Sequence, residues 1–118
     1  EPMLQLDVTL IRALQDRGFE VGVESNGTLA APPGIDWLCI SPKAGSQVVQ
    51  RSGQELKLVW PQPGSDWQDM ESWSFEHFLI QPLDSPDLPE NVAAAIQFVM
   101  DNPKWHLTLQ AHKTLGLP

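Results

Sequence analysis

Four apolar residues in a row, Trp37-Leu38-Cys39-Ile40, run directly into Ser41-Pro42-Lys43, and no other stretch limits the fold as much. A strand with one face in water alternates apolar with polar residues. An unbroken run of this length marks a strand covered on both faces, as in the parallel sheets of α/β proteins. Pro42 has no N–H to give to a ladder, so the strand stops there. Parallel neighbours need long crossover connections, and the rest of the chain must therefore supply spaced strands.

The flanking sequence does so. A helix is expected from Leu4 to Arg17, with Leu10, Ile11 and Leu14 on one stripe and Gly18 behind it to end it. Phe19, Val21 and Val23 alternate with Glu20, Gly22 and Glu24 as a strand, closed by the turn residues Ser25-Asn26-Gly27. Glu55 to Trp60 and His77 to Ile80 read as two more strands, with a short helix between them from Asp66 to Trp73. The helix from Glu90 to Asn102 is the clearest, with Asp87 placed to cap it and Glu90 three residues on. Its expected apolar face is Val92, Ile96, Val99 and Met100. Trp105 to Leu109 alternates as a last strand. About five alternations of helix and strand predict an α/β layer or barrel of mainly parallel strands, one domain over residues 1–118.

Composition narrows the function. Seven basic against fifteen acidic residues give a net charge of −8, which repels nucleic acid and anionic lipid and favours a small ligand. One Cys excludes an internal disulfide. With three His, it also excludes a cysteine-built zinc or iron–sulfur site from this chain alone, so no metal ligand is assigned. The thiol content fits a reducing, cytoplasmic compartment, and no apolar run is long enough to span a bilayer. Glu1-Pro2 opens the chain without an initiator Met, and a processed or truncated piece is expected.

The candidate site comes from where the polar residues fall. Glu24-Ser25-Asn26, Ser41-Pro42-Lys43, Gln81-Pro82-Leu83-Asp84 and Gln110-Ala111-His112-Lys113 each follow an expected strand. Taken singly each reads as an ordinary turn. In a parallel sheet all four lie on one rim, where α/β proteins bind ligands.

Those same residues resemble the carboxyl-terminal part of the 7-carboxy-7-deazaguanine synthases, a family of radical S-adenosylmethionine enzymes. Glu1-Pro2 is similar to the tail of the Gly-Gly-Glu-Pro motif of such enzymes, and Glu24-Ser25-Asn26-Gly27-Thr28 to the family's turn after a later strand. Ser41-Pro42-Lys43, Gln81-Pro82-Leu83-Asp84 and the ending Trp105 to Lys113 match further family motifs in order and spacing. The resemblance covers essentially the whole chain. It implies an incomplete TIM-like barrel of radical SAM type, lacking its first strands here.

The resemblance also implies a lyase of queuosine and 7-deazapurine biosynthesis. Such an enzyme converts 6-carboxy-5,6,7,8-tetrahydropterin to 7-carboxy-7-deazaguanine with loss of ammonia, using S-adenosylmethionine, a [4Fe-4S] cluster and Mg2+. By the same likeness Ser41, Pro42, Lys43, Gln81, Pro82, Leu83 and Asp84 would line the S-adenosylmethionine pocket. Glu24 and Asn26 would lie near its ribose, Glu1 near its amino-acid end, and His112 and Pro118 would face the pterin. A homodimer and a reductant such as flavodoxin are implied as partners. The family's cluster cysteines and magnesium ligand lie upstream of its Gly-Gly-Glu-Pro motif, and Cys39 alone cannot replace them, so this chain by itself is expected to be inactive.

Two other readings stand beside this one. A cluster-free fragment could keep the rim pocket as a nucleoside- or pterin-binding or interaction module. A hydrolase using Ser41, His112 and Asp84 lacks the Gly-x-Ser-x-Gly elbow, and Pro42 removes an N–H that an oxyanion hole would use.

Overall fold

The computed structural model describes residues 1–109. After a 3-10 turn at Pro2–Leu4 come α1 (Val8–Asp16), β1 (Gly22–Ser25), β2 (Trp37–Ile40), β3 (Ser52–Trp60), α2 (Trp67–Met70), β4 (Ser74–Pro82), α3 (Leu88–Asp101) and β5 (Trp105–Leu107). The five strands form one sheet in the order β1-β2-β3-β4-β5, and every pairing is parallel. The α/β class and the parallel sheet are as the sequence predicts.

Local chemistry sets the boundaries and corrects several expectations. The first helix starts at Val8, not Leu4, because the Asp7 carboxylate accepts from the Leu10 N–H at 2.8 Å and caps it there. Phe19 is exposed and precedes the strand, which begins at Gly22. No helix lies between β1 and β2 or between β2 and β3. The loops there are held to each other instead, since the Gly27 carbonyl accepts from both Val49 and Gln50. Gly27 has φ +78° and sits against Ile40 and Val48, a place only glycine fills without strain.

The expected capping by Asp87 is not formed. The entry to α3 is fixed by Asn91, whose amide donates to the Leu83 carbonyl at 2.9 Å and the Ser85 hydroxyl at 3.0 Å. The buried stripe of α3 is Asn91, Ala95 and Phe98, while Ile96 and Met100 point to solvent. The aromatic partners explain this rotation. The Phe98 ring lies 4.4 Å from Trp60, 4.9 Å from Trp67 and 5.8 Å from Trp105, centroid to centroid, and these contacts outweigh a stripe of smaller side chains.

Register separates the two faces of the sheet, because paired residues in parallel strands share a side. Ile40, Leu56, Phe78 and Trp105 form one row, and Leu58 and Ile80 the next; all are buried, and α3, Val48 and Met70 pack against them. The opposite face carries the row Glu24, Cys39, Glu55 and His77, followed by Lys57, Leu79 and His106. Trp37 belongs to this face and stacks on His77, with ring centroids 5.9 Å apart and planes 21° from parallel. The run Trp37 to Ile40 is therefore apolar on both sides, yet Trp37 remains 42% exposed. No helix among the described residues is long and apolar enough to cross a membrane.

Candidate functional site

The strand exits are laced together beyond the regular ladder. The Ser25 carbonyl accepts from the Ser41 N–H at 2.7 Å, joining the exits of β1 and β2. The Trp60 carbonyl accepts from Leu83 at 2.7 Å, and the Ile80 carbonyl from Thr108 at 2.9 Å, joining β3 to β4 and β4 to β5. Gln62 closes the remaining gap, because its amide donates to the Val59 carbonyl while its Oε1 accepts from the Ala44 N–H. The carboxyl ends of all five strands thus form one continuous rim.

Glu1 is held over the β1 end of that rim. Its Oε2 accepts from the Met3 N–H at 3.0 Å and the Ser25 hydroxyl at 2.8 Å, and its Oε1 accepts from the Asn26 N–H at 3.0 Å. Burial pushes the Glu1 carboxyl up, but these three donors outweigh it and hold it below the ordinary value. Asn26 turns its Oδ1 inward to the Thr28 N–H and hydroxyl, at 3.0 and 2.8 Å, so its side chain builds the turn.

The other predicted residues divide by burial. Ser41, Pro42, Gln81 and Pro82 are buried where β2 and β4 leave the sheet, and Lys43, Leu83 and Asp84 are exposed just beyond them. Leu83 is fixed through its backbone, its N–H on Trp60 and its carbonyl on Asn91. Gln81 pairs in register with Val59, on the polar face of the sheet. The structure brings Glu1, Asn26, Ser41, Pro42, Lys43, Gln81, Pro82, Leu83 and Asp84 to the one rim. His112 and Pro118 lie outside the described residues.

Glu24 is placed differently. It lies on the polar face, where its carboxylate meets the Lys57 ammonium at 2.8 Å. Sequence reasoning did not single out Lys57, although Leu56-Lys57-Leu58 alternates and so turns Lys57 away from the core. Gln62 was missed too, and carries no signal in a loop rich in Pro and Gly.

Cys39 sits between Glu24 and Glu55 in register. Burial pushes its thiol up to about 12, and the two neighbouring carboxylates add to this while Lys57 opposes it. Among the described residues no three His, Cys, Asp or Glu side chains are grouped to hold a metal ion. What the rim offers is a neutral and singly charged set of donors and acceptors, suited to a polar organic ligand.

No protein-family model matches the chain. Curated proteins are similar to it from end to end. The 7-carboxy-7-deazaguanine synthase of Bradyrhizobium diazoefficiens is 53% identical over 99% of this chain and 56% of that protein. Those of Caulobacter vibrioides and Bordetella pertussis are 51% and 48% identical over the whole chain and 56% of each protein. The chain spans about half the length of the curated relatives it matches.

Proposed function

We infer that this chain, homologous throughout to the 7-carboxy-7-deazaguanine synthases and so of their family, is the carboxyl-terminal part of a radical S-adenosylmethionine lyase. Its substrate in this reading is 6-carboxy-5,6,7,8-tetrahydropterin, and its products are 7-carboxy-7-deazaguanine and ammonia. The observation that carries the reading is the laced rim of an all-parallel sheet, with the family-like motifs at the exits of β1, β2 and β4. The sheet is the later part of an incomplete TIM-like barrel in the same reading, its polar face turned toward the barrel interior.

The residues present suit an organic cofactor and do not suit a cluster. Bound S-adenosylmethionine supplies the radical chemistry of such enzymes. Ser41, Pro42, Lys43, Gln81, Pro82, Leu83 and Asp84 are proposed to line its pocket, with Lys43 and the Ser41 hydroxyl donating to acceptors. Glu24 is proposed to accept from ribose hydroxyls beside Asn26, and Glu1 to face the amino-acid end. His112 and Pro118 are proposed to meet the pterin. One cysteine, buried and with a raised pKa, fits neither the number nor the protonation state of cluster ligands. The [4Fe-4S] cluster and Mg2+ are therefore assigned to the part of the relatives that this chain does not span.

The test is reconstitution of the protein at the length of its relatives, with cluster, Mg2+, S-adenosylmethionine and a reductant such as flavodoxin. The expected result is 7-carboxy-7-deazaguanine and ammonia in equal amounts. Loss of S-adenosylmethionine binding when Lys43 and Asp84 are both replaced by alanine would support the rim as its site. Cluster-loaded protein that leaves the carboxytetrahydropterin unchanged would overturn the reading.

A further inference from the structure

On the helix side of the sheet, away from Glu24 and Lys57, a cleft of about 330 Å³ opens between the β2–β3 loop and the β3–β4 connection. Val48 and Met70, both members of the core, contribute apolar surface to it. Gly64 lies against Ala44, so the two loops meet at one end of the cleft.

One wall is a fixed cation. The Arg51 guanidinium lies 4.7 Å from the centre of the Trp73 ring, and its Nε–H donates to the Val48 carbonyl at 3.1 Å. Those two contacts immobilise the planar group and leave its terminal NH2 groups for another partner. Among the described residues neither Arg51 nor Lys43, which also lines the cleft, is in an ion pair. An arginine held in this way is an oxyanion site, with its fork already oriented.

The other wall carries Asp66 and Asp69, which likewise form no ion pair among the described residues. Ser65 lies next to them, and its hydroxyl oxygen is buried and finds no partner among the described residues. That hydroxyl is sealed beneath the lining, so the cleft surface at Ser65 is not its oxygen, and the polar groups that face a ligand are those of Arg51, Lys43, Asp66 and Asp69. Two cations and two carboxylates select against extremes. A polyphosphate is repelled by Asp66 and Asp69, and a divalent cation by Arg51 and Lys43.

We propose that this cleft binds a small zwitterion of the α-amino-acid class, with its carboxylate on the Arg51 and Lys43 wall and its ammonium on the Asp66 and Asp69 wall. Val48 and Met70 favour an apolar side chain. The cleft adjoins the rim and shares Lys43 with the pocket proposed there, while Arg51, Asp66 and Asp69 lie outside that pocket, so ligand binding here can be read apart from the rim chemistry.

The experiment is an NMR titration of the protein with L-leucine, following the Trp73 indole and Arg51 Nε–H resonances. L-leucinamide, 4-methylpentanoate and inorganic phosphate serve as comparisons. Saturable shifts with L-leucine, with the two half-ligands at least about tenfold weaker, are expected from the paired charges. Arg51→Gln is expected to weaken binding by about tenfold or more. Asp66→Asn with Asp69→Asn is expected to weaken L-leucine by about tenfold while leaving 4-methylpentanoate unchanged, which separates loss of the ammonium site from loss of fold. No saturable shift at tens of millimolar L-leucine would overturn the site. Equal shifts with phosphate alone would overturn the zwitterion.

Discussion

The Lys57 ammonium reaches across β2 to within 2.8 Å of the Glu24 carboxylate, so β3 and β1, which share no ladder, are joined over Cys39 on the polar face of the sheet. The Lys57 side chain is 14% exposed and that of Glu24 52%. With one partner half in water the pair contributes about 0.5–1 kcal/mol. Lys57→Met is expected to lower the melting temperature by roughly 2–6 °C. A double-mutant cycle with Glu24→Gln, read by thermal denaturation, checks that the loss belongs to the pair.

Cys39 is expected to be inert. A thiol with its pKa pushed up to about 12 has roughly one molecule in ten thousand ionised at pH 8. Iodoacetamide should leave the native protein unlabelled and label it fully in denaturant, as read by intact mass. Lys57→Met removes the one charge that favours the thiolate, so it should not raise native reactivity.

Acid sensitivity has an identifiable source at the rim. The Glu1 carboxyl is held below its ordinary 4.5 once the Asn26, Met3 and Ser25 donors outweigh burial. A group whose pKa is depressed by folding contributes stability above its unfolded pKa and loses it as pH falls through the folded value. Asp36 acts in the same direction from its ordinary 3.8, through the Val21 N–H and the Gln15 amide. Glu1→Gln and Asp36→Asn should each flatten the decline of melting temperature below about pH 4.5, with little change in that slope between pH 6 and 8.

Gly27→Ala is expected to be among the most damaging single changes. A Cβ there would stand 2.8 Å from Ile40 Cγ2 and 2.9 Å from Val48 Cγ1, on a backbone with φ +78°. Overpacking and strain together predict a loss of about 2–4 kcal/mol, measurable by urea denaturation.

Two changes on α3 distinguish its faces. Phe98→Ala empties the centre of the Trp60, Trp67 and Trp105 cluster and is expected to cost about 3–5 kcal/mol. Met100→Gln, on a residue 72% exposed, should change stability by less than about 0.5 kcal/mol. Equal effects would mean that the stripe through Met100 is buried after all.

The strands were legible in the sequence because their signal is local. Trp37–Ile40 is read to the residue, ending where Pro42 forbids a further rung, whereas β3 and β4 contain the expected Glu55–Trp60 and His77–Ile80 but begin earlier, at Ser52 and Ser74, and β4 continues through Gln81 to Pro82. The rim followed from that, since parallel strands put Ser41, Gln81 and Asn26 on one side by topology alone. What escaped was set by partners distant in sequence. Of the expected α3 face Val92, Ile96, Val99 and Met100, Val99 does pack against the core, but Ile96 and Met100 are exposed because three tryptophans from other elements select Phe98. Asp87 has the spacing of a cap, but Ser85 and Asn91 supply the bonds instead. Glu24 read as a rim residue because its neighbours are. Its tie to Lys57 needed the register of two ladders.

The identity of strand order and chain order has a consequence for synthesis. Gly22 pairs with Trp37, Cys39 with Glu55, Ser52 with Ser74 and Phe78 with Trp105, so each strand from β2 to β5 docks on the one translated just before it. From β2 onward a partner strand has already been made when each new strand emerges. The nascent sheet can be laid down in one direction, with the newest edge always the growing one.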